Sequence, residues 1–277
     1  MSTLPTLPTI PLGPHQLTRL IVGHNPICGL SHLTPELDCE MRDYYTPEQV
    51  VKVLHDCQAA GINTLLARGD YHRVLYWREL FRREGGQLHW IGQTASEMHD
   101  LYENIRIMTA AGALGIYHHG TRTDNCWHAG EIDSVQDYLK YIRDQGLQVG
   151  LASHLPEVIE YAEEHNWDVD FYMACFYALS MKPRESGLVT GKGSVPEENY
   201  EDWMPARMCE TIRATDKTCL AFKILAAGRK CTTQEEVKEA FRYAFANIKP
   251  KDAVVVGMFP KYEDQARLNA GYAREFG

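Results

Sequence analysis

The chain has 277 residues, 44% of them hydrophobic and 23% charged, with a formal net charge of −9. That length supplies a sizeable core, as one large domain or two small ones. The acidic balance, with no Lys/Arg cluster, argues against a nucleic-acid partner, and no apolar run approaches the roughly 20 residues of a membrane span.

The first residues, MSTLPTLPTIPLGPHQ, carry no early positive charge and no continuous apolar block, so they do not read as a signal peptide and a cytoplasmic location is expected. Residues 1–18 read as an arm with a β-hairpin, and RLIVGHN then gives the first strand of a repeating unit. The unit is a helix-period segment, a glycine and a short apolar run. VVKVLHDCQAAG leads into INTLLARG, LFRREGG into QLHWIGQTAS, IRIMTAAG into ALGIYHHG, and YLKYIRDQG into LQVGLASH. Gly61, Gly86, Gly112 and Gly146 read as left-handed helix caps at these junctions. Thr46 before Pro47, and Thr232 or Thr233 before a glutamate three residues on, read as helix starts.

DVDFYMACFY, CLAFKILAAG and AVVVGMF complete a set of eight strand candidates. Near-continuous apolar strands alternating with helices predict a parallel sheet buried on both faces. Eight such units in this length predict a single (β/α)8 barrel, a TIM barrel spanning 1–277, rather than an open sheet. Eight cysteines without any C-x-x-C pair suit reduced structural thiols.

Two connections are long: the polar stretch after the fourth strand, HHGTRTDNCWHAGEID, and residues 178–204 after the sixth. Both follow strands, so both are expected as loops at the C-terminal mouth, where barrel enzymes build their sites. Strand ends would deliver His24 and Asn25, Arg68 with Asp70 and Tyr71, Gln93 with Ser96 and Glu97, His118 and His119, His154, Cys175 with Tyr177, Lys223 and Arg229 to one rim. So many polar groups, each costing several kcal/mol if buried unpaired, point to a hydrated cleft for a small-molecule substrate.

Of the adjacent histidines one must point outward, and His118 is expected inward as a general acid or base. His154 is read either as a substrate contact or as a loop anchor. Lys223, in an apolar run, suits a Schiff base or proton transfer, or alternatively a structural ion pair. Trp127 and Trp203 are stacking candidates for a sugar or cofactor ring. His118, His154, Asp70 and Glu97 form the alternative set for a divalent metal ion, although no short-spacing metal motif is present. TGKGSV lacks the strand–loop–helix setting of a phosphate loop.

Several segments together resemble the aldo-keto reductase superfamily: IPLGPHQLTRLIVG at the opening hairpin and first strand, CQAAGIN, AFKILAAGR at strand seven, and VVVGMFPKYEDQARLNA at the closing strand and helix. The resemblance implies an NAD(P)H-dependent oxidoreductase acting on a small polar carbonyl or sugar-like substrate, with NADP held near Gly257, Lys261 and Asn269. Carried over residue by residue, it places Tyr71 at the catalytic tyrosine and His118 at the histidine. Leu66 stands where the family has aspartate, and Gln93 or Thr94 where it has lysine. With the lysine absent, Arg68 is the substitute cation that would act on Tyr71. The expected central group is therefore His118, Tyr71 and Arg68, with His24, Asp70, Gln93, His119, Trp127, His154, Tyr177 and Lys223 contacting substrate. The other readings are a metal-dependent lyase, isomerase or hydratase built on the same histidines and carboxylates, and a barrel that has lost catalysis. Oligomeric state is not legible in the sequence.

Overall fold

The computed structural model describes residues 6–70, 73–193 and 198–277. Two antiparallel strands, Thr9–Leu12 (β1) and His15–Thr18 (β2), form the expected hairpin. The barrel strands follow: Leu20–Gly23 (β3), Thr64–Arg68 (β4), His89–Gln93 (β5), Gly115–His118 (β6), Gln148–Ser153 (β7), Phe171–Cys175 (β8), Thr218–Phe222 (β9) and Ala253–Gly257 (β10). All pair in parallel in chain order, and β10 closes on β3. The protein is a single (β/α)8 barrel, as the alternation of apolar runs and helices predicts.

The helices are Pro35–Tyr44 (α1), Pro47–Ala59 (α2), Val74–Arg83 (α3), Leu101–Ala110 (α4), Gly120–His128 (α5), Val135–Asp144 (α6), Pro156–Glu164 (α7), Gly187–Thr190 (α8), Met204–Ala214 (α9), Gln234–Asn247 (α10) and Gln265–Phe276 (α11). None of those described is long and apolar enough to cross a membrane. The buried apolar residues form two clusters separated by the sheet itself. The larger lies between strands and helices. The smaller fills the barrel with Ile21, Leu66, Ile91, Tyr117, Phe171 and Leu220, and hairpin residues Ile10, Leu12 and Leu17 close its floor. Strand alternation explains the division, since successive side chains point to opposite faces.

Four local expectations need correction. The polar stretch after β6 is not an open loop, because α5 begins two residues beyond the strand. Its Thr, Asp and Asn content disfavours a helix in isolation, but Thr123, bonded to the His118 ring, and Asp124, accepting from Ser153 Oγ on β7, hold it. The connection after β3 carries α1, which the strand-helix grammar did not separate from α2. Residues 178–204 contain the short α8 rather than irregular chain alone. At the second junction Gly85 takes the left-handed conformation, φ 87°, instead of Gly86. Gly86 is needed for space, since a Cβ there would collide with the Phe81 ring.

A candidate active site at the barrel mouth

A cavity of about 370 Å³ opens over the C-terminal ends of the strands. It is lined by His24 after β3, Gln93 on β5, His119 after β6, His154 after β7 and Lys223 after β9, together with His32 from the β3 connection and Arg184 from the long segment after β8. A volume of this order takes a small metabolite-sized ligand.

His119, not His118, faces this cavity. On β6 the residues alternate: Tyr117 packs inside the barrel, while Ile116 belongs to the outer cluster. His118 follows Ile116 outward. Its ring stacks on Tyr138 of α6 at 5.6 Å, and its Nδ1 lies 2.7 Å from the Thr123 hydroxyl. Burial drives its pKa down to about 3. The expectation of an inward His118 chose the wrong member of the pair. His119 Nδ1 lies 2.5 Å from Ser96 Oγ, and the His119 backbone N–H donates to Thr94 Oγ1. Burial, reinforced by His154 and Arg184, holds the His119 pKa well below its ordinary value.

His154 has the most specific setting. Its Nδ1–H donates to Asp124 Oδ2 at 2.7 Å, and Asp124 Oδ1 accepts from Ser153 Oγ at 2.6 Å. Asp124 is fully buried, on α5. An ionised carboxylate on Nδ1 fixes the tautomer and leaves the Nε2 lone pair as the group able to accept a proton. Burial lowers the His154 pKa and Asp124 only partly opposes it, so the ring is neutral near neutral pH.

A second network faces it. Glu198 accepts from His32 Nδ1 at 2.9 Å, from Arg184 Nη1 at 2.9 Å and from the Tyr200 hydroxyl at 2.9 Å. Burial alone would raise this carboxyl, but Lys223, His32 and Arg184 together hold it well below the usual range. His32 accepts from Asn25 Nδ2 on its other nitrogen, and burial brings its pKa down to about 4. The Nε2 atoms of His24 and Gln93 are buried without a hydrogen-bond partner among the described residues, and both residues line the cavity. Burial and the charge of Arg68 take His24 to about 3.

The remaining expected residues lie elsewhere. Tyr71 falls outside the described residues. Arg68 is buried but does not line the cavity. It pairs with Glu97 and approaches Asp70 at 3.9 Å, while Asp70 accepts from the Arg73 and Val74 backbone at the start of α3. These ion pairs, together with the outward turn of His118, disperse the metal set His118, His154, Asp70 and Glu97. Among the described residues no three ligating side chains gather around one point. Tyr177 packs against Tyr200 at 5.1 Å. Trp127 lies on α5, edge-on to Tyr161, beside a smaller second cavity that also touches Trp203 and His154. Arg229 stacks on the Tyr200 ring at 3.8 Å and donates to the His32 carbonyl.

The residues expected to hold NADP do not converge. Gly257 and Asn269 line the cavity, but Lys261 pairs with Glu40 at 2.7 Å away from it, and the Asn269 amide is engaged by Met258 sulfur. Leu66 lies in the interior cluster and the Gln93 amide oxygen accepts from the Tyr117 hydroxyl, so neither position supplies the family's aspartate or lysine. Among the described residues the expected positions do not assemble the family's catalytic set, and no step is derived through that cofactor.

Asp124, His32, Arg184 and Glu198 escape a reading of the sequence alone. Asp124 lies within a polar stretch whose composition reads as loop. Glu198 and Arg184 sit in a long segment with no periodicity to aim them.

No protein-family model matches the sequence, and no curated protein does. Among solved structures, the chain is similar to the glycerol dehydrogenase AKR11B4 from Gluconobacter oxydans, an aldo-keto reductase, with 13% identity, a TM-score of 0.57, and coverage of 97% of this chain and 90% of that one. It also aligns with a member of the enolase superfamily from Enterococcus faecalis, at 10% identity and a TM-score of 0.42 over 92% of this chain and 52% of that one. A third is the citrate synthase SbnG, at 12% identity and a TM-score of 0.41 over 87% and 86%. The first of these likenesses establishes the barrel class and nothing narrower.

Proposed function

We propose that the protein is a barrel enzyme that moves a proton at the carbon beside the carbonyl of a small polar, oxygen-rich substrate. The observation that carries this is the buried Asp124–His154 pair: His154 lines the mouth cavity, and its Nε2 has no hydrogen bond among the described residues. His154 Nε2 takes the proton, and the imidazolium that forms is stabilised by Asp124 at 2.7 Å. The electron pair moves onto the carbonyl oxygen. Developing negative charge there is met by Lys223 and by the Gln93 amide N–H, which has no partner among the described residues, both at the cavity wall. Return of the proton to the same or the neighbouring carbon gives an epimerisation or isomerisation, and loss of a neighbouring substituent gives a lyase.

Incubation in D2O with a panel of short oxo acids, hydroxyketones and aldoses, followed by proton NMR, tests this. Loss of the signal of the hydrogen beside the carbonyl is expected with the wild type. His154→Gln should slow it by about 10²- to 10⁴-fold, the usual contribution of a positioned base. Because burial holds the His154 pKa below the ordinary 6.5, the rate should stay level from neutral pH down through 6.5 and fall only at more acid values. Binding of panel members without exchange, or oxidation of NADPH in their presence, would sink this reading, and the second result would restore hydride transfer.

A further inference from the structure

Lys223 stands one residue past the end of β9 and lines the cavity. Its backbone is left-handed, φ 59°, and Ala226 and Ala227 are left-handed too, at 49° and 52°. Residues with a Cβ avoid this region because it crowds the carbonyl, so three of them within five positions mark a path imposed by the surroundings, as is common at reactive sites.

A lysine buried as half of a structural ion pair would hold its carboxylate directly. Here the nearby acid, Glu198, is engaged by His32, Arg184 and Tyr200. The hydrogen bond found for the Lys223 amine among the described residues is a long one to the Tyr200 hydroxyl, 3.4 Å. Burial lowers the pKa of this amine, and Glu198 offsets that only in part, which enlarges the neutral, nucleophilic fraction.

We propose that Lys223 forms an imine with the carbonyl carbon of the substrate. This rests on the proton-transfer reading above and gives the C–H electron pair, freed when His154 takes the proton, a different sink, an enamine in place of an enolate. In the first step the Nζ lone pair forms the bond to carbon while the carbonyl π pair moves to oxygen. The two amine hydrogens are passed to that oxygen, which leaves as water, and the nitrogen lone pair closes the C=N bond. Tyr200, hydrogen-bonded to both Lys223 and Glu198, is placed to relay those protons. Protonation of the imine nitrogen then supplies the cation that draws electrons from the neighbouring carbon.

Reductive trapping tests the proposal. The full chain is incubated separately with pyruvate and with dihydroxyacetone in the presence of sodium cyanoborohydride, and adducts are located by intact mass and peptide mapping. One adduct per chain on Lys223 is expected, forming at least about tenfold faster than on any other lysine. Lys223→Arg should lose it and Tyr200→Phe should slow it, with circular dichroism showing both folded. Mapping on the wild type decides the matter even where a variant fails to fold. Adducts spread evenly over lysines, or none on Lys223 with either probe, overturn the imine. Deuterium exchange in the same samples separates the two readings. Exchange without a Lys223 adduct removes the imine and leaves His154 as base, whereas an adduct without exchange supports the imine and removes the proton-transfer reading.

Discussion

Adjacent histidines on one strand end show how a single residue of register divides stability from chemistry. His118 is locked between Thr123 and the Tyr138 ring, while His119 enters the cavity. His118→Gln should therefore lower stability, by about 0.5–1.5 kcal/mol for the lost bond to the Thr123 hydroxyl, which keeps its bond to the His119 carbonyl, and leave substrate affinity unchanged. His119→Gln should do the reverse. Urea unfolding and titration calorimetry with any ligand found in the exchange panel separate these effects; equal loss of affinity in both variants would contradict the assigned orientation. The sequence showed that one of the pair must face outward, but it carried nothing to say which. That depends on where β6 ends relative to its neighbours, and the pairing Tyr117↔Gly150, His118↔Leu151 sets it.

At the scale of elements, the site is assembled by segments that are individually weak. Helix starts obey local rules: Thr46 accepts from the Gln49 N–H and Thr233 from the Glu236 N–H, while the Glu236 carboxylate reaches back to Thr232 N. Those were legible because a cap needs only residues within one turn. The clasp between α1 and the long segment after β8 was not. Asp38 on α1 accepts from Ser31 N and Oγ through one oxygen and from Gly193 N, 155 residues on, through the other. Asp38→Ala should loosen this clasp, costing about 1.5–3 kcal/mol as a hydrogen-bonded charge is removed. Limited proteolysis within 181–193 should accelerate, as mass spectrometry of the fragments would show. Unchanged cleavage would mean that Arg184 and Glu198 hold the segment without it.

For the whole molecule, burying neutral histidines ties stability to pH. His24, His32 and His118 have folded pKa values of about 3, 4 and 3 against an ordinary 6.5. Each is lowered, so the unfolded chain takes up a proton that the folded chain refuses. Their contribution is complete above 6.5 and is lost as the pH falls toward 4, by roughly 1.4 kcal/mol per pH unit for each. Unfolding midpoints in urea should therefore fall steeply between pH 6.5 and 4, and His118→Gln should flatten the slope; a slope unchanged by that substitution would refute its assignment.

The sequence by itself determined the barrel. Alternating apolar runs and helices, glycine caps and an N-terminal hairpin are encoded within about ten residues of each other, and a closed parallel sheet is the way to bury eight such strands on both faces. It also placed His24, Gln93, His119, His154 and Lys223 at strand ends, since the C-terminal ends of parallel strands share one rim. Only the tertiary structure decided which polar groups meet. Asp124 reaches His154 across 30 residues, and Glu198 reaches His32 across 166, from segments without a repeating pattern. Hydrogen bonds of that span depend on how helices dock on the barrel, and docking is set by packing volume and burial summed over the whole chain, which no local stretch of residues records.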